Sequence, residues 1–165
     1  MADLKKQLVM QGKIINLLTK KEAKQDLNLI RYLNLIESDI QIACKQNFDN
    51  FAFQLEMKYK RPLLQFVQID NGAKSGIRYK MRKKAEGTKK GFPDVMILAT
   101  RPDNSQQKTI FVEFKRLGAY KISDEQLHYH QLLNQMGFES YITNNPVFFE
   151  KHILLDRIQN FILGK

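Results

Sequence analysis

Cysteine is almost missing from this chain: Cys44 stands alone in 165 residues. That excludes both a disulfide framework and a thiolate metal site. Cys44 lies within a helical pattern, where a buried structural thiol is its expected role. No apolar run approaches the roughly 20 residues of a membrane span. The opening Met1-Ala2-Asp3-Leu4-Lys5-Lys6 also lacks the apolar stretch of a secretory leader. The expected location is therefore intracellular: cytoplasmic, nucleoid-associated, or as a viral protein in a host cell. Repeats, linkers and low-complexity tracts are missing too. With 43% hydrophobic residues, the chain has enough apolar material for one real core and too little length for a second catalytic domain.

Acidic charge is scarce. Seventeen Asp and Glu face 27 Lys and Arg, a formal net charge of +10. That excess favours a polyanionic partner such as nucleic acid, although a basic protein without that role would have the same composition. The charge is concentrated. Lys74, Arg78, Lys80, Arg82, Lys83, Lys84, Lys89 and Lys90 crowd into one stretch against a single acid, Glu86. A charge run is ordinarily a solvated face. This one leads directly into the motif described next, so phosphate contact is the better reading for Lys74, Arg78, Arg82, Lys83, Lys84, Lys89 and Lys90.

The chain is organised around residues 87–115. Gly91-Phe92-Pro93-Asp94 precedes the apolar run Val95-Met96-Ile97-Leu98. Arg101-Pro102-Asp103-Asn104-Ser105 then reads as a turn before Thr109-Ile110-Phe111-Val112-Glu113-Phe114-Lys115. Two short apolar runs around such a turn predict a hairpin. Alternation puts Ile110, Val112 and Phe114 on one face of the second strand, and Phe111, Glu113 and Lys115 on the other. Antiparallel pairing can bring Asp94 beside Glu113. Two carboxylates and a lysine would then converge at one sheet end. Paired carboxylates can hold a hard divalent cation while leaving it waters to activate, and a nearby lysine can orient or deprotonate the attacking water.

Gly-x-Pro-Asp followed by Glu-x-Lys resembles the PD-(D/E)XK nucleases, and the flanking residues are similar to the VRR-NUC branch. The further matches are Glu37-x-x-x-Gln41, Asn71-Gly72, Glu86-Gly87 and Ser123-x-x-Gln126. The resemblance implies an α/β restriction-endonuclease-like core, ordered α-β-β-β-α-β, with a mixed central sheet. It also implies a Mg²⁺ or Mn²⁺ cofactor held by Asp94, Glu113 and the backbone carbonyl of Phe114, with Glu37 completing the shell directly or through water. Lys115 would position or activate the water, with Gln126 in support. The resemblance covers residues 37–165, the expected nuclease domain, and leaves residues 1–36 as a helical extension that packs on the core or contacts DNA or a second copy.

Two of these residues have a plainer reading. Asn34-Leu35-Ile36-Glu37 and Ser123-Asp124-Glu125-Gln126 both have capping-box spacing, so Glu37 and Gln126 could simply close helix N-termini. Glu56 is a weaker rival for the metal role of Glu37.

Elsewhere, helices are expected over residues 4–18, and from the Thr19-to-Glu22 capping box through Leu33. Another is expected from Ile36 into the fifties. Residues 63–69 read as the first core strand. Ile77, Met81 and Ala85 would anchor a short helix ended by Gly87. A helix from Ser123 to Met136 stops at Gly137 and presents Tyr129 and His130 on the face of Gln126. Residues 138–143 form the last strand. Asn145 then caps a helix striped by Phe149, Ile153, Ile158 and Ile162. His128, His130 and His152 lack zinc-ligand spacing with cysteine partners.

The expected function is a metal-dependent DNA endonuclease acting on branched DNA in the manner of a Holliday-junction resolvase, as a homodimer, leaving 5′-phosphate and 3′-hydroxyl ends. The alternatives are an unselective nickase or single-strand nuclease, and a nucleic-acid-binding protein without catalysis.

Overall fold

A computed structural model describes residues 14–69, 81, 87, 89–118 and 121–165. Its centre is a mixed sheet of β2 (Leu64–Gln68), β3 (Val95–Thr100), β4 (Gln107–Phe114) and β5 (Glu139–Thr143). A short β1 (Ile14–Asn16) widens it to five strands in the order β1-β5-β4-β3-β2. β2, β3 and β4 run antiparallel to one another, whereas β5 is parallel to both β4 and β1. The architecture is the α/β core expected from the sequence. β4 lies in the middle and is buried on both faces, which is why Ile110-Phe111-Val112 is continuously apolar.

One face is covered by α2 (Glu37–Tyr59) and the C-terminal helical segment. Ile40, Cys44, Phe48 and Leu55 of α2 point inward, and Phe48 meets Phe66 of β2 with ring centres 5.3 Å apart. Phe114, fully buried, meets Phe149 of the C-terminal segment at 5.8 Å. Cys44 is buried as expected, and burial pushes its thiol pKa well up. The opposite face carries α3 (Asp124–Gln135) and a cluster in which Phe111 packs edge-on against Phe92 and Phe138. The alternation along β4 therefore sends Phe114 and Phe111 to different sides, as the sequence indicates.

Several elements differ from the sequence reading. Residues 14–16, expected at the end of a helix, form β1, because they gain a ladder with Tyr141–Thr143. Asn144 fastens this connection: its Oδ1 accepts from the Leu18 amide at 2.8 Å and its Nδ2 donates to the Leu18 carbonyl at 3.0 Å. Thr19 and Glu22 do form the capping box, but α1 spans only Lys20–Lys24. A single 3₁₀ turn at Ile30–Tyr32 follows instead of a continuing helix.

The C-terminal segment has the Asn145 cap and Pro146 start. Between Phe149 and Gln159 it bonds from i to i+5, as a π-helix. The buried Phe149, Ile153, Ile158 and Ile162 recur at intervals of four, five and four residues, a spacing suited to that wider turn. The helix expected around Ile77 and Ala85 lies outside the described residues, apart from an exposed Met81 and from Gly87 at φ +90°. No helix among the described residues is long and apolar enough to cross a membrane.

Candidate active site

Register creates the site. Val95 pairs with Val112 across β3 and β4, so the residue before one and the residue after the other meet at the same sheet end. Those residues are Asp94 and Glu113. Pro93 fixes the approach of the chain, and the Asp94 carbonyl accepts from the Ile69 amide at 2.8 Å, extending the ladder towards β2. Asp94 Oδ2 accepts the backbone N–H of Phe114 at 3.0 Å, so the first carboxylate also orders the peptide that follows the second.

Glu113 is buried, with 1% of its surface exposed. Its Oε1 accepts from Lys115 Nζ at 2.6 Å and from Gln126 Nε2. Its Oε2 is buried and has no hydrogen-bond partner among the described residues. An ionised carboxylate here is costly. Burial, chiefly, and the Asp94 charge push the Glu113 pKa up to about 8; Lys115 opposes them, and Glu37 adds a further upward push. A buried carboxylate oxygen without a donor is a position that a cation or a water can satisfy.

Gln126 forms the cap that the sequence offered and also contacts Glu113. Its Oε1 accepts from the Ser123 amide at 3.0 Å while its own amide donates to Ser123 Oγ at 3.2 Å, completing the capping box of α3. Its Nε2 meanwhile reaches Glu113. One side chain thus ties the helix start to the site. Gly91 allows that approach: it has φ +82°, and a Cβ there would lie 2.7 Å from Glu125 atoms and 2.8 Å from the Gln126 amide nitrogen.

Glu37 begins α2 and is exposed, yet its charge acts on Glu113. The cap at this helix start belongs to Asp39, whose Oδ2 accepts from the Ile36 amide at 3.1 Å, rather than to an Asn34–Glu37 pair. Glu56 is near the other end of α2, nineteen residues or about 28 Å along the axis from Glu37. Among the described residues no group of three or more His, Cys, Asp or Glu side chains converges as a metal cage. The close carboxylates are the pair Asp94 and Glu113.

Lys74, Arg78, Arg82, Lys83 and Lys84 lie outside the described residues, as do Asn71, Gly72 and Glu86. Lys89 and Lys90 are exposed on the loop before Gly91, and Lys90 Nζ contacts Glu125 Oε1 at 2.6 Å. The histidines are dispersed. His128 is exposed; His130 is buried against Ser140 Oγ; His152 Nδ1 lies 3.2 Å from Asp156. Tyr129 shares the face of Gln126 only as packing, at 5.5 Å from the Phe92 ring.

The family model for the VRR-NUC domain matches residues 35–145. This chain belongs to the VRR-NUC family. The match spans α2, β2 to β5 and α3, and so includes Glu37, Asp94, Glu113, Lys115 and Gln126; β1, α1 and most of the C-terminal segment fall outside it. Neither a curated protein nor a solved structure matches the chain. Membership in the VRR-NUC family gives the chain a nuclease-type function.

The pair of carboxylates fits the divalent cation on which VRR-NUC nucleases generally depend. Mg²⁺ is commonly held by one or two carboxylates with water in its remaining positions. Asp94 and Glu113 supply hard oxygen ligands, and Glu113 Oε2 has no hydrogen-bond partner among the described residues.

Proposed function

We propose that this VRR-NUC chain is a Mg²⁺- or Mn²⁺-dependent DNA endonuclease that cuts branched DNA in preference to linear duplex. The observation that carries the reading is the division of Glu113. One oxygen is held by Lys115 and Gln126, and the other is buried without a hydrogen-bond partner among the described residues, under the charge of Asp94. A purely structural Glu–Lys pair would not need a second carboxylate raising the cost of its charge, and a binding protein would not place two acids against a phosphate.

Asp94 and Glu113 would hold the cation with the Phe114 carbonyl, and Glu37 would complete the shell. When bound, such an ion stabilises charge on the phosphate and acidifies water. Lys115 positions the attacking water for entry opposite the 3′ oxygen. The bond from phosphorus to that oxygen breaks, leaving a 5′-phosphate and a 3′-hydroxyl. Gln126 keeps Glu113 oriented throughout. The basic residues from Lys74 to Lys90 would track the backbone.

A homodimer is part of this proposal. Resolving a four-way junction takes two symmetrically placed cuts, and one protomer per cut matches the twofold symmetry of the substrate. The test is cleavage of labelled junction, flap, duplex and single strand with EDTA, Mg²⁺ or Mn²⁺. Metal-dependent, junction-preferring cuts are expected. Equal cutting of all duplex substrates would leave an unselective nuclease in place of the junction enzyme.

A further inference from the structure

At the hairpin end of the sheet, away from Asp94 and Glu113, a cavity of about 390 Å³ is lined by the cations Arg101, Lys108, Arg157 and Lys165 and by Asp156, Asn160 and Phe161. Three of its cations, Arg101, Lys108 and Arg157, are held in place. Glu139 Oε1 accepts from Lys108 Nζ at 2.6 Å and from Arg157 Nη2 at 2.9 Å, while Oε2 accepts from Arg157 Nε at 3.0 Å and from the Tyr141 hydroxyl at 2.7 Å. Arg101 Nε donates to the Phe161 carbonyl at 3.2 Å, and its guanidinium lies 5.4 Å from the centre of the Phe161 ring. Lys165 makes no ion pair among the described residues.

Four side-chain cations therefore face two side-chain carboxylates, Glu139 and Asp156. Glu139 keeps its charge near neutrality. Burial raises the pKa of Glu139, but its bonds from Arg157, Lys108 and Tyr141 outweigh that and hold it at about 2. If its only purpose were to join the hairpin to the C-terminal segment, balanced charge would suffice. A concave site with an excess of basic side chains and planar guanidinium donors instead suits a phosphodiester.

The position of the cavity decides which phosphodiester. Lys108 shares the face of Ile110, Val112 and Phe114, whereas Glu113 lies on the other face. The two residues are five positions apart on β4, about 17 Å. Duplex DNA is stiff, with a persistence length of about 50 nm. A straight duplex seated at the carboxylates would not wrap round the sheet to the opposite face and end. We propose that the Arg101–Lys108–Arg157–Lys165 cavity binds a backbone phosphate of a second nucleic-acid segment, such as another arm of a branched DNA. This rests on the nuclease reading for the segment at the carboxylates, but not for the phosphate site itself.

The test measures equilibrium binding of the full chain to a four-way junction and to a short linear duplex across a salt series in EDTA, where nothing is cut. Lys165→Glu changes an exposed side chain; Arg101→Gln removes the guanidinium and is checked by thermal melting. For each variant the junction affinity is expected to fall about 3- to 10-fold at moderate salt, with the log–log salt slope smaller by about one. Binding and metal-dependent nicking of the short duplex should be unchanged. Junction affinity and slope equal to the parent in both variants would overturn the proposal, as would an equal loss on the short duplex. Cavity-dependent junction binding by a protein that cuts nothing with Mg²⁺ or Mn²⁺ would support the phosphate site while removing the nuclease reading.

Discussion

Lys115 Nζ lies 2.6 Å from Glu113 Oε1, and both side chains are buried, at 6% and 2% exposure. Glu113 is on β4 and Lys115 is just past its end, where the Lys115 amide still donates to the Thr143 carbonyl at 2.9 Å, so the two side chains, two residues apart, share a face. This proximity allows the lysine either to serve catalysis or merely to neutralise the glutamate. The variants below separate these roles.

Lys115→Ala is expected to lower the single-turnover cleavage rate about 10²- to 10⁴-fold, the range for loss of a positioned proton-transfer or water-orienting group. Metal affinity and DNA affinity should stay near those of the parent, because Asp94 and both oxygens of Glu113 remain. Calorimetric titration of Mn²⁺ and binding of uncut DNA in EDTA would check this. Loss of metal binding with retained folding would make Lys115 a structural counter-ion.

Glu113→Gln should remove cleavage yet stabilise the metal-free fold at pH 8. The usual pKa of the carboxyl is 4.5, and burial with the Asp94 charge raises it to about 8 in the fold. A raised acid pKa means that the folded state holds the proton more tightly than the unfolded state does. The contribution of Glu113 is therefore fully present below about pH 4.5 and is lost as pH rises towards 8. Melting of the metal-free protein should show a decline over that window, superimposed on other titrations, and Glu113→Gln should remove that component. Each kcal/mol corresponds to about 2–4 °C in a chain of this size. Mg²⁺ or Mn²⁺ at pH 8 should recover stability in the parent and not in Asp94→Ala. A melting temperature independent of the Glu113 substitution across this range would contradict the assigned cause.

Gln126→Ala and Gln126→Glu distinguish cap from site. Alanine removes both the acceptor for the Ser123 amide and the donor to Glu113, whereas glutamate keeps the acceptor and loses the donor. Alanine should cost about 0.5–2 kcal/mol of stability as a lost cap. Both variants should lose about 10- to 100-fold in metal affinity or turnover, as supporting partners of a metal ligand commonly do. If only alanine affects cleavage, the cap is the whole role.

The site motif was legible because its determinants are local: a proline-fixed entry, two apolar runs, a turn between them and alternation along β4. The α/β core followed from the same short-range patterns. What stayed hidden depends on distant partners. Ile14-Ile15-Asn16 carries no strand signal of its own and pairs with β5 well over a hundred residues away, secured by Asn144 against Leu18. The cap of α2 passed to Asp39 because the helix begins later than the Asn34 spacing implies. The basic cavity joins the hairpin to the C-terminal segment, so no single window of sequence contains it. Gln126 showed a limit of a different kind: spacing posed cap and site as alternatives, while one end of its amide forms the cap and the other reaches Glu113.

Gly91→Ala is expected to damage the site without touching any proposed ligand. The glycine has φ +82°, a conformation that costs an L-residue about 1–3 kcal/mol. The added methyl would also press to within 2.7–2.8 Å of Glu125 and the Gln126 amide, which are part of the first turn of α3 and have little room to withdraw. Relief would require the Gly91-to-Asp94 loop and that helix start to separate. Separation would draw Gln126 away from Glu113 and shift Asp94 against the Phe114 amide, even if the rest of the sheet stayed intact. The expected outcome is a melting temperature lower by several degrees and a cleavage defect larger than that instability explains, measured well below the melting temperature. A variant with reduced stability but parental turnover at low temperature would show that the close approach of Gly91 serves folding alone.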